Sequence, residues 1–413
     1  MSHTRKMLSA VIAVLLLLTI TACSGTGQAD GGKQTITWWD TMTTEGSVNA
    51  INKIISEYEA VHPNVVIKRT YLSYNDIKTK LLLGSIGDKG PDILWIDSAD
   101  HQTFAAAGVL ADITDEVKAW GQADKYVKGP WSSTVYEGRN YGVPVGSNNL
   151  ALFYNKDMLE QAGLKPPTNW EELQTAAAKL TKGNVFGFAM SAVKTEEGTF
   201  QFLPFLLQAG ADVTDFDAPG TLKALTLLTD MVNKGYMSRE IVTQKQADTA
   251  TQFAAGKLAM MENGTWQIPF LDQNSKVNWG VVPLPADQQS ATVLGGENWA
   301  ISAASKHKET AFDIIQFANE PDRLKELLKT NGRLPSRGDL LQDPFWQSDE
   351  RMKVFADSML DSKARAYGPN YASISEAIQT MMQEAFTGAE TPEAAQKKAS
   401  AAIHKLLEEQ QAD

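Results

Sequence analysis

The chain has 413 residues, of which 43% are hydrophobic and 21% are charged, and its formal net charge is −11. This length exceeds the size at which single hydrophobic cores stop growing, so we expect two compact units of ordinary globular composition. No basic run follows the N-terminus, which argues against nucleic acid or an anionic membrane surface as a binding partner.

The N-terminal segment is typical of a secretory signal. Arg5 and Lys6 precede the apolar stretch MLSAVIAVLLLLTI, which is short for a membrane span, and residues 1–22 are predicted to be removed. The following ITAC resembles the bacterial lipobox, in which the cysteine becomes the lipidated first residue; a coincidental cysteine is the alternative. Cys23 is the only cysteine, so it forms no internal disulfide. Residues 23–33 are predicted to be a flexible linker that tethers the protein at the outer face of the cell membrane.

Strands and helices alternate in the next part of the chain. TITWWD and NVVIKRTYL are predicted strands, separated by a helix for which Ser47 is a candidate cap. A short helix at about 75–83 and the strand PDILWID follow. This β-α-β-α-β order predicts a parallel sheet with helices on its faces and ligand sites beyond the carboxyl ends of its strands.

Side chains at these strand ends are the first candidates for a binding site. Trp38 and Trp39 must point to opposite faces of the first strand, so one ring is expected in the core and the other at the site. We favour Trp39 as the site ring, together with Asp40, and Trp38 is the alternative. Asp97 and Ser98 end the third strand, where a helix-capping role for Asp97 is an equal alternative.

The second half continues the α/β alternation without an internal repeat. LALFY is a predicted strand followed by Asn155 as a helix cap, and PPTNWEELQTAAAKL carries a capping box ahead of an amphipathic helix. Helices are predicted at about 200–207 and 222–233, and a strand through Met260 precedes a glycine turn that presents Trp266.

Eight stretches, in this order, resemble the extracellular solute-binding proteins of ABC importers, the family that includes maltose-binding protein and other sugar receptors. They are GDKGPDILWID, AAAGVLADIT, YGVPVGSNNLALFYNKDMLEQAGLKPPTNWEEL, FAAGKLAMMENGTW, WGVVPLP, GGENWAISAASKHKETAFDIIQFA, NGRLPSR and TGAETPEAAQKKASAAI. The resemblance implies an α/β fold of two lobes, each a mainly parallel sheet flanked by helices, with the ligand cleft between them. It implies that lobe I combines residues 34–147 with 299–336, and lobe II residues 148–298 with 337–413.

The resemblance and the strand ends together select the residues expected to line the cleft. Trp266 is expected to stack on the ligand rather than in a core. Asn148 lies where some family members place a polar contact, although sugar receptors often have an acidic residue there. Tyr74 opens a helix that Asn75 is expected to cap, and for Arg333 a structural ion pair is at least as strong an interpretation. The full set is Trp38, Trp39, Asp40, Tyr74, Asp97, Ser98, Asn148, Trp266, Gly296, Glu297, Asn298, Trp299 and Arg333.

Tryptophan rings interleaved with carboxylates and amides suit a neutral carbohydrate, favouring an oligosaccharide. A phosphoester would need a basic cluster or a glycine-rich loop, which the sequence does not show, and a polyamine is a further alternative. A secreted glycosidase would also carry tryptophans and paired carboxylates, but no catalytic spacing stands out. The histidines His62, His101, His307 and His404 have no metal-ligand spacing, so we expect neither catalysis, metal nor cofactor.

The resemblance further implies capture by lobe closure and delivery of the ligand to an ABC permease, with the receptor acting as a monomer. A sensory protein that hands its liganded state to a membrane kinase would share the fold and is the remaining alternative.

Overall fold

The computed structural model describes residues 33–83, 90–360 and 362–412. The predicted signal peptide 1–22, the lipidation site Cys23 and all but the last residue of the predicted linker lie outside the described residues. Among the helices of the described part, none combines the length and apolarity that a membrane span requires.

The strands of the described residues form three sheets. The large sheet has the order β11-β6-β10-β3-β1-β2, with β12 added on β10; β4 pairs with β5; and the small sheet has the order β8-β7-β9. The strands are β1 (Gln34–Asp40), β2 (Val65–Tyr71), β3 (Ile93–Asp97), β4 (Val135–Tyr136), β5 (Arg139–Asn140), β6 (Gly142–Asn148), β7 (Leu150–Asn155), β8 (Met260–Gly264), β9 (Trp279–Val282), β10 (Val293–Ile301), β11 (Leu334–Pro335) and β12 (Lys363–Ala364).

Helices connect these strands and cover the sheets. They are α1 (Glu45–Val61), α2 (Tyr74–Leu82), α3 (His101–Ala106), α4 (Thr114–Trp120), α5 (Lys128–Ser132), α6 (Lys156–Gln161), α7 (Trp170–Leu180), α8 (Glu196–Gln208), α9 (Pro219–Asn233), α10 (Gln246–Ala254), α11 (Ile268–Asn274), α12 (Lys308–Ala318), α13 (Pro321–Asn331), α14 (Pro344–Ser348), α15 (Glu350–Met359), α16 (Tyr371–Thr387) and α17 (Pro392–Ala412). Short 3-10 helices lie at Ala123–Lys125, Arg239–Val242 and Thr265–Gln267.

The α/β fold of two lobes is confirmed, and we call the large sheet with its helices the first lobe and the small sheet with its helices the second. The prediction of mainly parallel sheets is wrong in part. Strand β1 is parallel to β2 and β3, as predicted, but β10 runs antiparallel to β3 and β6, and β7 runs antiparallel to both of its neighbours. The reason is that β10 enters the first lobe as a returning strand rather than through a right-handed crossover.

The chain passes from β6 into β7, returns at β10 and leaves the large sheet again after β11. These passages are compatible with the predicted division into 34–147 plus 299–336 and 148–298 plus 337–413. Strand β10 already pairs with β6 at Gly295, whereas the predicted crossing from lobe II into lobe I lies between residues 298 and 299. The residue bounds of the lobes stay a prediction.

Three tryptophans form the centre of the first-lobe core. Trp299 of β10 packs edge-on against Trp38 and Trp95, with ring centroids 4.9 and 4.7 Å apart. Trp38 is 0% and Trp299 1% exposed. Trp39, the next residue of β1, is partly buried on the other face of the sheet, against a small cluster that includes Ile77. The alternation of the strand therefore separates the two rings as expected.

Two helix caps differ from the prediction. Helix α1 is capped by the Thr44 hydroxyl, which accepts a hydrogen bond from the amide of Ser47, and α2 is capped by Ser73 rather than Asn75. Both helices thus begin a few residues earlier than their apolar periodicity indicates, because a hydroxyl outside the periodic segment can satisfy the first free amides.

The second lobe is built around a helix that is buried on nearly all sides. In α8, every residue from Gly198 to Gln208 is buried. It packs among apolar side chains of β7, α9 and α16. A helix in this position must be apolar all round, which explains the run TFQFLPFLL in the sequence.

The buried His101 predicts a pH dependence of stability. Burial lowers the pKa of His101 from 6.5 to about 3, so the unfolded chain binds a proton at this site at higher pH than the folded chain does. The contribution is present above pH 6.5 and is lost as the pH falls toward 3. Each pH unit in this window costs at most about 1.4 kcal/mol of unfolding free energy.

Urea unfolding of the wild type and His101→Gln between pH 7 and 4 measures this effect. We expect the free energy of unfolding of the variant to fall less steeply with decreasing pH, whatever its absolute stability. Parallel curves for the two proteins would show that His101 does not contribute.

Candidate functional site

A polar cluster, Tyr74, Glu297 and Arg333, lies at the carboxyl ends of β1 and β3. Arg333 holds the Glu297 carboxylate with two N–H groups, its Nε lying 3.1 Å from Oε2, and the Tyr74 hydroxyl donates to Oε1 over 2.9 Å. We call these three residues the Glu297 cluster. All three are predicted site residues, contributed by α2, β10 and the turn between α13 and β11.

The charge states of Arg333 and Tyr74, the two hydrogen-bond donors of this cluster, follow from their surroundings. Burial opposes the charge of Arg333, but the neighbouring Glu297 carboxylate outweighs it and raises the pKa of the guanidinium. Desolvation of the hydroxyl and the same carboxylate raise the pKa of Tyr74 well above its ordinary value, although the residue as a whole is 39% exposed, so the phenol stays neutral and donates. The structural ion pair considered for Arg333 is therefore present, at the site rather than away from it.

Trp266 faces the Glu297 cluster from the second lobe. Its half-buried ring lies 5.7 Å from the Arg333 guanidinium and 6.2 Å from the ring of Phe200. The ring also covers Gly264, where an added Cβ would lie 2.0 Å from it, so the close approach requires glycine. An aromatic face and a hydrogen-bonding cluster thus meet between the lobes, and stacking of a ligand on Trp266 stays a prediction.

A second ionic group joins the lobes beside this cluster. The Arg365 guanidinium, directly after β12, lies 3.2 Å from Asp97 Oδ1 of β3 and also pairs with Glu196 at the start of α8. Its Nε donates to the Leu294 carbonyl of β10 over 3.2 Å, and its side chain is only 3% exposed. The Tyr371 hydroxyl donates to Glu196 over 2.7 Å. We call Asp97, Arg365 and Glu196 the Arg365 bridge.

Asp97 and Ser98, predicted as ligand contacts from their position at a strand end, lie at this bridge. Asp97 is not the helix cap considered as its alternative role, because α3 begins only at His101, after Asp100. Its carboxylate instead accepts the Ala99 amide over 2.9 Å. Ser98 lines a cavity of about 10 Å³ together with Gly295, Asn298 and Arg365, which is room for about one water molecule.

Several predicted site residues have structural partners instead. The Asp40 carboxylate is fully buried and binds Arg69 through two hydrogen bonds of 2.5 and 2.6 Å. Trp38 and Trp299 are enclosed in the first-lobe core, so the alternative of Trp38 as a ligand ring and the prediction for Trp299 do not agree with the structure. A strand residue that faces the core presents no surface to a ligand.

Of the remaining predicted residues, Trp39 is partly buried against the cluster that includes Ile77, so its role as the site ring stays a prediction, whereas Asn148, Gly296 and Asn298 are buried close to the site. Asn298 donates to the Ser133 hydroxyl over 2.9 Å. Gly296 has φ +130°, and an added Cβ would lie 2.2 Å from the Gly146 carbonyl, so backbone packing alone explains this glycine. Asn148 ends β6 opposite Gly295, in the strand pair that carries the Glu297 cluster.

Sequence reasoning missed Glu196, Arg365, Tyr371 and Phe200. Glu196 and Phe200 lie in the first turns of α8, after a loop with no strand-end signal, and Arg365 is a single arginine in SKARAY. Arg365 is 268 residues from Asp97 along the chain, so no local pattern could have paired them. No group of His, Cys, Asp and Glu among the described side chains is arranged to hold a metal ion.

A buried and an exposed carboxylate should differ in how much stability is lost when each is made neutral. Asp40→Asn is expected to lower the free energy of unfolding by about 3 kcal/mol, because Arg69 would be left largely buried without its partner. Asp230→Asn, which breaks the exposed pair with Lys234 on α9, is the matched control and should cost a few tenths of that. Chemical unfolding measures both; a stable Asp40→Asn protein with impaired ligand binding would return Asp40 to the site.

Comparisons with known proteins agree with this architecture. The model of a family described as bacterial extracellular solute-binding protein matches residues 53–354. The chain is 26% identical over 399 residues to the lactose-binding protein of Rhizobium radiobacter, covering 88% of this chain and 89% of that protein.

Two solved structures share the fold over nearly their whole length. One is an ABC transporter solute-binding protein of Thermotoga lettingae bound with α-D-tagatose (29% identity, TM-score 0.82, 91% of this chain and 100% of that one). The other is the GacH receptor of Streptomyces glaucescens, studied unliganded and with acarbose (26% identity, TM-score 0.82, 91% and 99%). Since the family match spans well over half of the sequence, and the two lobes are those of its solved relatives, the chain belongs to the bacterial extracellular solute-binding proteins.

Proposed function

We propose that this protein is the substrate-binding component of an ABC importer and that it captures a carbohydrate, preferentially an oligosaccharide, between its two lobes. The observation that carries the proposal is the half-buried Trp266 ring facing the Glu297 cluster across the lobes. The C–H face of a sugar ring can stack on an aromatic ring, while carboxylate, phenol and guanidinium groups can form hydrogen bonds with the sugar hydroxyls. The relatives named for lactose, tagatose and acarbose support the same ligand class.

The charges at the site favour a neutral ligand over the alternatives. Arg333 is paired with Glu297, and Arg365 is paired with Asp97 and Glu196. Both guanidinium groups are therefore already paired and are not free to bind a phosphoester. The same pairs occupy the carboxylates that a polyamine would require. Binding either charged ligand would mean giving up a desolvated internal pair, which is costly, whereas a sugar hydroxyl can share these groups.

Function then consists of binding and closure, without chemistry on the ligand. The sugar stacks on Trp266, the Glu297 cluster of the first lobe completes its hydrogen bonds, and the closed form is presented to the transmembrane permease. In this proposal the protein is a monomer outside the cytoplasm, is not an enzyme, and requires no cofactor.

A thermal-shift screen of the protein from residue 24 tests the ligand class. Mono- and oligosaccharides, polyamines and phosphoesters are added separately, and calorimetry follows for each hit. We expect saturable stabilisation by a sugar, growing with concentration as linkage requires. Stabilisation by a polyamine or phosphoester alone would overturn the carbohydrate assignment, and release of product from an oligosaccharide would overturn the non-enzymatic one.

Anchoring through lipid on Cys23 is part of the same proposal and rests on the ITAC sequence. We expect the wild type expressed in a bacterial host to sediment with membranes, and Cys23→Ser to be found in the soluble extracytoplasmic fraction with unchanged sugar binding. Equal membrane association of the two proteins would exclude the anchor.

A further inference from the structure

The Arg365 bridge is a buried ionic connection between the two lobes, beside the Glu297 cluster. We propose that Arg365 is an internal latch, which favours the closed arrangement of the lobes before any sugar is bound. The inference rests on the two-lobed fold and on the contacts of the chain with itself, so it does not depend on the identity of the ligand.

The bridge spans the boundary between the two lobes. Asp97 ends β3 in the middle of the large sheet, whereas Glu196 begins α8 in the core of the second lobe. Arg365 is bonded to both, and its Nε is fixed on the Leu294 carbonyl of the strand that joins the lobes. Moving Asp97 away from Glu196 must break at least one arm of the bridge.

Burial makes this separation costly. Arg365 is 3% exposed, and Glu196 is held in place by the hydroxyls of Tyr371 and Ser375. When one arm opens, the buried guanidinium loses one of its two carboxylate partners, and the loss of a charge partner inside the protein is destabilising. Because every partner belongs to the chain, the latch acts without ligand.

The same segment provides a matched control. Lys363, two residues earlier in β12, pairs with Asp212 in the loop after α8, but 45% of the Lys363 side chain is exposed, so the loss of this pair should cost little. Neutral contacts also connect the segment to the first lobe, since the Gly368 amide donates to the Gln102 side chain and Thr103 donates to the Pro369 carbonyl. Removal of one charge should therefore open the lobes without detaching the segment.

Small-angle X-ray scattering on the protein from residue 24, with no sugar added, tests the latch. The variants are Arg365→Met, Asp97→Asn and the control Lys363→Met. We expect larger radii of gyration for the first two than for the wild type, and an unchanged value for the control. Asp97→Asn removes only the first-lobe arm and keeps Arg365 paired with Glu196, so it decides the question if Arg365→Met does not fold.

Two results would overturn the inference. One is a folded Asp97→Asn protein, judged by its melting transition, with the radius of gyration of the wild type. The other is an equal increase in Lys363→Met, which would mean that any lost charge in this segment loosens the protein. Both results are obtained without sugar, so a failed sugar screen would leave the scattering comparison intact.

Discussion

Trp266→Ala is expected to weaken binding of the sugar identified by the screen by about 30-fold or more, equivalent to about 2 kcal/mol for a central aromatic contact. The ring is half-buried between Phe200 and Arg333, at the place where the lobes face each other. Titration calorimetry with the purified variant measures the loss.

The melting temperature of the ligand-free Trp266→Ala protein should change little, because the ring covers Gly264 at the edge of the second-lobe core rather than filling its interior. Trp266→Phe is the matched control, and it should keep part of the affinity because it retains an aromatic face. Full affinity in the alanine variant would make Trp266 a packing residue and would remove the main support for the proposed site.

Trp299→Ala should have the opposite profile, with a loss of about 3–5 kcal/mol in the free energy of unfolding, as for other large side chains removed from a core. The ring is 1% exposed and makes edge contacts with both Trp38 and Trp95, so its removal leaves a cavity between two rings that have little room to collapse. Chemical unfolding monitored by circular dichroism gives the value.

If Trp299→Ala does not accumulate as a folded protein, Trp299→Phe preserves most of the contact and should show a smaller loss of the same kind. The folded variant is expected to bind sugar with wild-type affinity. A stable Trp299 variant with impaired binding would restore the prediction made from the sequence, in which this residue lines the cleft.

The contrast between these tryptophans shows how far local patterns reach. Two-residue alternation in TITWWD predicts that Trp38 and Trp39 point to opposite faces of β1, and the structure agrees. The pattern does not say which face is the core of the lobe. That depends on Trp95 and Trp299, which arrive on strands β3 and β10 from distant parts of the chain.

Charged residues show the same limit more sharply. The strand-end position of Asp40 was correctly predicted, but its role depends on Arg69 of the neighbouring strand, which takes both carboxylate oxygens. Glu297 and Arg333 were both candidates, and only the pairing of β10 with β3 and β6 shows that they form one cluster with Tyr74. A carboxylate in a sequence carries no information about which guanidinium reaches it.

The sequence by itself determined the alternation of strands and helices and the family, and it predicted the edge of the sheet at which the site lies and Trp266 as its aromatic face. These follow from periodicity, turn residues and motif order, which are local properties of the chain. Tertiary structure alone decided the antiparallel entry of β10, the core position of Trp38 and Trp299, and the bridge from Asp97 through Arg365 to Glu196. The reason is physical: burial and ion pairing depend on which distant segments share a volume, and that is set by the packing of the whole chain.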